Sequence, residues 1–258
     1  MESVHQRTFT NRRLLNFLAQ LEGSPGDYLT IYVRPSSFPS YVTDLQVELT
    51  PFGGEIRAAL GTEAVIQEAQ RYGTGAVIFW GETDNRFIAL PPFALPEDRV
   101  FRGRPEISLL YQFLKKERIL GLVLVTWGSY GIGVFKGDKL MESKTGTGYI
   151  HKRHRKGGRS EKRFARRTEE QKRDFLRKVA NRIEERFEGY RPEQIFFGGN
   201  RLILNPLVEE CSYLQSEAQQ ISNRFLNVRY ADREALLGSL ENINKSLVFN
   251  LSIPGYNR

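Results

Sequence analysis

The side chains best suited to chemistry crowd into one stretch, from His151 to Arg167. It reads His-Lys-Arg-His-Arg-Lys-Gly-Gly-Arg-Ser-Glu-Lys-Arg-Phe-Ala-Arg-Arg. Nine of its 17 residues are Lys or Arg, and Glu161 is its one acid. A lysine or arginine that neutralises a phosphate releases condensed counterions, so a run of this density points to a polyanion, and we read that polyanion as RNA rather than DNA. A charge run is most often only the solvated face of a helix. Two features oppose that reading here: the density, and Gly157-Gly158 in the middle, where glycines would weaken a plain helix. The pair can serve as a hinge or can let the backbone approach a ligand closely, and both readings stand. The expected phosphate contacts are Lys152, Arg153, His154, Arg155, Lys156, Lys162, Arg163, Arg166, Arg167 and Arg173. Mutual repulsion should keep the tip of this arm mobile until phosphates neutralise it.

Other chemistries fit the residues less well. His151 and His154 are spaced to share a metal, but no Cys, Asp or Glu stands close in sequence and the surrounding cations oppose a divalent ion, so no metal site is expected. Gly128, Gly131 and Gly133 lack the Gly-Lys-Ser and helix that a phosphate-cradling loop requires, and hairpin turns account for them. Cys211 is the single cysteine, which excludes an internal disulfide and fits a reducing, cytoplasmic setting. No cofactor motif is present. No continuous apolar stretch suggests a signal peptide or a membrane span.

The charge is unevenly placed. Residues 151–191 carry 16 basic and 7 acidic side chains, a net of +9 against +8 for the whole chain of 258 residues. No lysine precedes Lys115, and residues 1–105 are slightly acidic, net −2, whereas 106–258 sum to +10. Such asymmetry predicts two units, only one of which meets a polyanion.

The periodicity predicts an α/β chain. Residues 1–105 read as a small α/β unit, with helices over Thr8–Leu21 and Gly53–Arg71. Its expected strands are Tyr28–Val33, Ala76–Trp80 and Phe87–Leu90, and Pro91–Pro105 reads as a linker. Residues 106–258 read as a second α/β domain, opening with a helix over Glu106–Lys116. Strands follow at Leu120–Trp127, Tyr130–Lys136 and Lys139–Lys144, with Tyr149-Ile150 closing the sheet. After the basic loop 151–160 comes an Arg-rich helix, 160–187, whose apolar stripe is Phe164, Phe175, Leu176, Val179, Ala180, Ile183 and Phe187. Then come a parallel strand at Gln194–Phe197, a helix over Pro206–Gln220, a strand at Asn227–Tyr230 and a last helix over Asp232–Lys245 capped by Asp232.

The run Lys156-Gly157-Gly158-Arg159-Ser160-Glu161-Lys162-Arg163-Phe164-Ala165-Arg166-Arg167 resembles the signature of the archaeal and eukaryotic class-1 peptide-chain release factor superfamily. There a Gly-Gly-Gln-Ser loop precedes an Arg-Phe-Ala-Arg helix start. It is most similar to the bacterial Vms-type release-factor-like branch, whose loop has the form Gly-Gly-x-Ser-Gln. The strand meander at Leu122–Lys144 and the later segment Gln194–Asn200 agree, and the resemblance covers about residues 106–258. It implies an RNase H-like central domain with a mixed sheet, basic loop and long helix, which reaches large-subunit ribosomal RNA and hydrolyses the peptidyl-tRNA ester to rescue stalled ribosomes. It implies catalytic roles for Gly157, Gly158, Arg159, Ser160 and Glu161. Arg159 occupies the release-factor Gln position and Glu161 the Gln position of the Vms-type branch. A ribosome-binding factor without chemistry, or a general RNA-binding protein, would share the same arm. The role of residues 1–105 is not carried by the resemblance.

Overall fold

The structure, a computed structural model, describes residues 5–23, 26–43, 52–82, 85–150 and 159–251, with backbone only for 159–162. The chain divides into two compact units, Met1–Lys116 with Glu241–Arg258, and Glu117–Leu240. The boundary therefore falls after Lys116 rather than at Pro105, and the chain returns to the first unit at its end.

In the first unit the elements are β1 (His5–Thr10), α1 (Asn11–Leu21), β2 (Tyr28–Val33), α2 (Phe38–Thr43), α3 (Gly53–Leu60), α4 (Glu63–Tyr72), β3 (Ala76–Gly81), β4 (Phe87–Leu90), β5 (Arg99–Gly103) and α5 (Ser108–Lys115). With the last strand of the chain they form a six-stranded antiparallel sheet in the order β1-β10-β4-β3-β2-β5, where β10 is Lys245–Asn250. Helices cover both faces. Leu14, Leu18, Leu110 and Leu114 of α1 and α5 pack on Tyr32, Val77, Phe79 and Phe87, and Ile56, Leu60, Val65 and Tyr72 of α3 and α4 pack on Ile31, Val33, Ile78 and Trp80. Burial on both faces explains why β3 reads as a continuous apolar run, and β2, whose sequence alternates, is likewise buried at every position.

Several elements differ from the sequence reading. Residues 8–10 extend β1 rather than α1, because they pair with β10 and Thr10 caps the helix. The expected linker contains β5, held against β2, and α5 lies in the first unit's core. The single helix expected over Gly53–Arg71 is two, since the chain turns at Gly61, whose N–H bonds the Arg57 carbonyl at 2.9 Å.

The second unit runs β6 (Ile119–Thr126), β7 (Ser129–Lys136), β8 (Lys139–Thr147), α6 (Arg159–Tyr190), β9 (Gln194–Gly199), α7 (Leu204–Glu210), α8 (Ser212–Ser216) and α9 (Arg233–Ile243). Its sheet has the order β8-β7-β6-β9, with β9 parallel to β6 and the rest antiparallel. Isolated parallel bridges from Ile195 to Ile221 and from Gly198 to Leu226 lay one more irregular segment along β9. An antiparallel meander followed by a helix and a parallel strand is the RNase H-like arrangement, and the fold is α/β. One face of the sheet (Val123, Val125, Ile132, Val134, Ile195, Phe197) is covered by α6, α7 and α8. On the other face Leu236 of α9 approaches Gly133 and the Ala231 carbonyl approaches Gly131.

Here too tertiary contacts move the element ends. Tyr149-Ile150 forms no strand, because Thr147 already pairs with Ser129, the first residue of β7. The helix expected over Pro206–Gln220 breaks at Cys211, and Glu184 on α6 restarts it by accepting from the Ser212 N–H and Oγ at 2.9 and 2.6 Å. Asn227–Tyr230 is not a strand, since pairing with β9 ends at Leu226. The final helix is capped as expected, with Asp232 Oδ1 accepting from the Ala235 N–H at 2.8 Å, but it stops at Ile243 and gives way to β10.

Among the described residues no helix is long and apolar enough to cross a membrane. Phe187 is wholly buried, with its ring against Tyr213 and its edge where a Cβ on Gly121 would sit, 2.6 Å away. Phe187→Ala should lose about 3–5 kcal/mol in a urea titration, and a loss under about 1 kcal/mol would show that this packing is not a determinant of the fold.

Candidate nucleic-acid interface

Thirty-two residues make α6 about 48 Å long. Its two halves differ in kind. From Phe175 to Phe187 the stripe Phe175, Leu176, Val179, Ala180, Ile183 and Phe187 is buried against the sheet, whereas no side chain from Arg163 to Asp174 is buried. The first half is thus a helical arm carrying little of the packing. Arg163, Arg166, Arg167 and Arg173 are all exposed. At 100° per residue they fall within an arc of roughly 120°, turned away from the stripe that is buried further along. Phe164, expected in that stripe, is 50% exposed instead, because the sheet does not reach it.

Acidic partners on the arm are few and wet. Arg166 Nε meets Glu170 Oε1 at 3.0 Å, and Lys172 Nζ meets Glu169 Oε1 at 2.8 Å. Both are exposed or half-exposed pairs, which hold little energy in water and leave the guanidinium face available to phosphates.

Of the residues expected to act, Lys152, Arg153, His154, Arg155, Lys156, Gly157 and Gly158, together with His151 and the expected mobility of the tip, lie outside the described residues. Arg159, Ser160, Glu161 and Lys162 form the first turn of α6. Helical backbone there leaves the first N–H groups without intrahelical acceptors and aims the positive end of the helix dipole at whatever meets the loop.

The root of the arm is a set of contacts that sequence reasoning did not single out. β8 precedes the basic segment in sequence, and its end is fixed in three ways. A Cβ on Gly146 would lie 2.6 Å from the Tyr130 ring, and one on Gly148 would lie 2.5 Å from Phe175 Cδ2. The Gly148 N–H bonds the Gly128 carbonyl at 2.9 Å, and Gly128 has φ +97, a conformation that suits glycine. From α6, Lys178 Nζ donates to the Thr147 carbonyl at 3.0 Å. The Phe175 ring meets Trp127 and Tyr130 at centroid distances of 6.4 and 6.1 Å. Lys172 and Lys178 lie over Trp127 and Tyr130 at 5.1 and 5.9 Å. The segment Trp127-Gly128-Ser129-Tyr130 reads as an ordinary hairpin turn in the sequence. Only an aromatic pair flanking that turn hinted that something packs over it.

Cys211 is fully buried, with its Sγ facing the Ala180 carbonyl at 3.9 Å. Burial pushes its thiol up to about 11, the reverse of an activated nucleophile. Among the described residues no three His, Cys, Asp or Glu side chains cluster to hold a metal ion.

A long helix bearing a cationic face, rooted at the end of an RNase H-like sheet and preceded in sequence by Gly157-Gly158, is the arrangement that the release-factor resemblance implies. The chain belongs to the Actinobacteria/chloroflexi VLRF1 release factor family, which matches residues 118–248. It is similar to peptide chain release factor subunit 1 of Picrophilus torridus, with 22% identity over 96% of this chain and 65% of that protein. The same-named protein of Methanopyrus kandleri is 24% identical over 95% of this chain and 65% of its own length. The chain thus spans just under two thirds of these relatives. Among solved structures, the archaeal translation termination factor aRF1 aligns over 92% of this chain and 73% of its own, at 18% identity and a TM-score of 0.38.

Gly148→Ala should cost about 1–3 kcal/mol in chemical denaturation, because the new methyl meets the Phe175 ring rather than a flexible chain end. Wild-type stability in that variant would show that the strand end can slide off the ring. The Cys211 thiol ionises at higher pH in the folded chain than in the unfolded one. Its contribution is therefore intact below about pH 9 and is lost as pH rises toward about 11. Cys211→Ala should flatten that alkaline limb of the stability–pH curve, and an unchanged limb would assign it to other groups.

Proposed function

We propose that this protein acts in the cytoplasm on ribosomes, hydrolysing the peptidyl-tRNA ester and so rescuing stalled translation, with no cofactor. The observation that carries the reading is the unpacked, arginine-faced half of α6, which follows Gly157-Gly158 directly in sequence. Ribosomal RNA is a dense polyanion. A slim helix with cations on one side can enter a narrow RNA-walled passage where a globular surface cannot. Counterion release supplies the affinity and makes it fall steeply with salt.

In this reading Lys152, Arg153, His154, Arg155, Lys156, Lys162, Arg163, Arg166, Arg167 and Arg173 hold large-subunit RNA. Gly157 and Gly158 let the backbone approach the ester without a side chain in the way. The acyl carbon is attacked by water, the tRNA 3′-oxygen leaves, and the protein's part is to place and orient that water. Arg159, Ser160 and Glu161 are the side chains nearest the tip in sequence. The Glu161 carboxylate can accept a proton from the water, with neighbouring cations offsetting its cost beside phosphates. Backbone N–H groups at the start of α6 offer positive dipole to the developing oxyanion.

A second reading is favoured by one specific observation: neither Arg159 nor Glu161 is the glutamine that the resembling loops carry. It is a factor that occupies the same ribosomal site and performs no hydrolysis. A release assay on ribosomes carrying labelled peptidyl-tRNA separates the two. Hydrolysis predicts release by the wild type, with about a 100-fold lower rate for Gly158→Ala and for Glu161→Ala while binding persists. Ribosome binding by the wild type without release at saturating protein would leave the non-hydrolytic factor. Failure to co-sediment with ribosomes at low salt would remove both.

A further inference from the structure

We propose that the second unit carries another RNA-contacting surface, built from Arg201, Leu202 and Phe225 with Arg229 and Tyr230, which stacks unpaired nucleotides. The inference rests on the reading of the arm as an RNA-directed element.

The topology puts this surface at the arm's end of the sheet. β9 runs parallel to β6, so Asn200 leaves the sheet where Trp127 does, and the Asn200 N–H bonds the Val125 carbonyl at 2.8 Å. Thr147, the last residue of β8, pairs with Ser129 at that same end. The Gly199 N–H bonds the Leu226 carbonyl at 3.2 Å, and the Ala231 carbonyl lies against Gly131, so the chain from Leu226 to Ala231 is anchored near that end at both its limits. Three strand spacings separate β8 from β9, so the arm's root and the Arg201 loop stand roughly 14 Å apart.

The side chains at this end have the chemistry of a stacking platform. The Arg201 guanidinium lies over the Phe225 ring at 5.5 Å, and that of Arg229 over Tyr230 at 5.6 Å. The Phe225 ring is half-buried against the core and the Tyr230 ring is exposed, and a planar guanidinium laid on either can receive a base on its outer face and a phosphate at its edge. Leu202 is 81% exposed and Tyr230 61%. Leu202 is held out by a local constraint: its N–H is capped by Asn200 Oδ1 at 3.0 Å, which fixes the turn. Gly199, at φ +100 with the Val125 carbonyl 2.3 Å from a would-be Cβ, fixes the chain just before it. No Asp or Glu occurs from Gln194 to Val208 or from Ala218 to Ala231, so both segments are free of acids that would repel phosphate. An acidic or purely apolar protein partner would use the charge or the leucine, but not the stacked pairs.

The test is equilibrium binding of the full chain to a single-stranded RNA oligonucleotide and to a duplex RNA of equal length, each followed by fluorescence anisotropy over a salt series. Arg201→Ala with Arg229→Ala should weaken single-strand binding about 10-fold or more, and should lower the log–log salt slope by about 0.7 for each arginine removed. Arg201→Lys should keep the slope and still bind more weakly, because charge remains and the planar stack is lost. Wild-type affinity and slope in the double variant overturn the inference, as does equal loss on single-stranded and duplex RNA. The arm is read separately with Arg163→Ala, Arg166→Ala and Arg167→Ala combined. If that variant alone loses binding, the arm stands and the second surface falls. If only the Arg201 and Arg229 variant loses binding, the second surface stands and the RNA role of the arm falls.

Discussion

The course of α6 depends on one packing contact, the Phe175 ring laid against Gly148 at the end of β8 and flanked by Trp127 and Tyr130. Phe175 is the point beyond which α6 runs on without buried side chains, from Asp174 back to Arg163. A helix held over only part of its length needs a firm root, since the free half contributes almost no apolar burial of its own. The root is firm because several kinds of contact coincide there. The ring excludes any Cβ on Gly148, Lys178 ties the helix to the Thr147 carbonyl, and Gly128 closes the backbone across the turn. The lysines over Trp127 and Tyr130 place the first positive charges of the arm on aromatic faces, where part of the cost of crowding cations is offset.

The two halves of α6 answer to different solvents. The buried half obeys the sheet: apolar residues recur every three or four positions and meet β6, β7 and β9. The exposed half meets no sheet and buries no side chain. Its arginines are spread over one arc, and its acids are drawn into wet pairs of little energy. Such a surface is poorly compensated in isolation, and a polyanion would relieve it. The first unit shows no such conflict. Its six-stranded sheet is covered by helices on both sides, and its charge is close to balanced.

Sequence periodicity located the meander, the long helix and the parallel strand to within a few residues, because each is a long segment with a strong local pattern. It failed where a distant partner decides. α5 packs into the first unit through Leu110 and Leu114, although in sequence it stands next to β6. β10 continues directly from α9, yet it fills the gap between β1 and β4, a place that no local signal announces. The break at Cys211 depends on Glu184, far back in the chain on α6. The roles of Gly146 and Gly148 were hidden for the same reason: a glycine's need is set by the ring that comes to lie on it.

What the sequence determined alone is the chemistry of the arm: its charge, its Gly-Gly break, and the absence at Arg159 and Glu161 of a glutamine. These are properties of residue types in order along the chain, and no fold can alter them. What the tertiary structure decided is where that chemistry stands. Burial of Phe175 fixes the point at which α6 leaves the sheet, the parallel course of β6 and β9 carries Arg201 to that end, and the contacts of Leu226 and Ala231 anchor the segment that bears Arg229. Charge is carried by each residue, but a direction and a neighbour exist only once the core has packed.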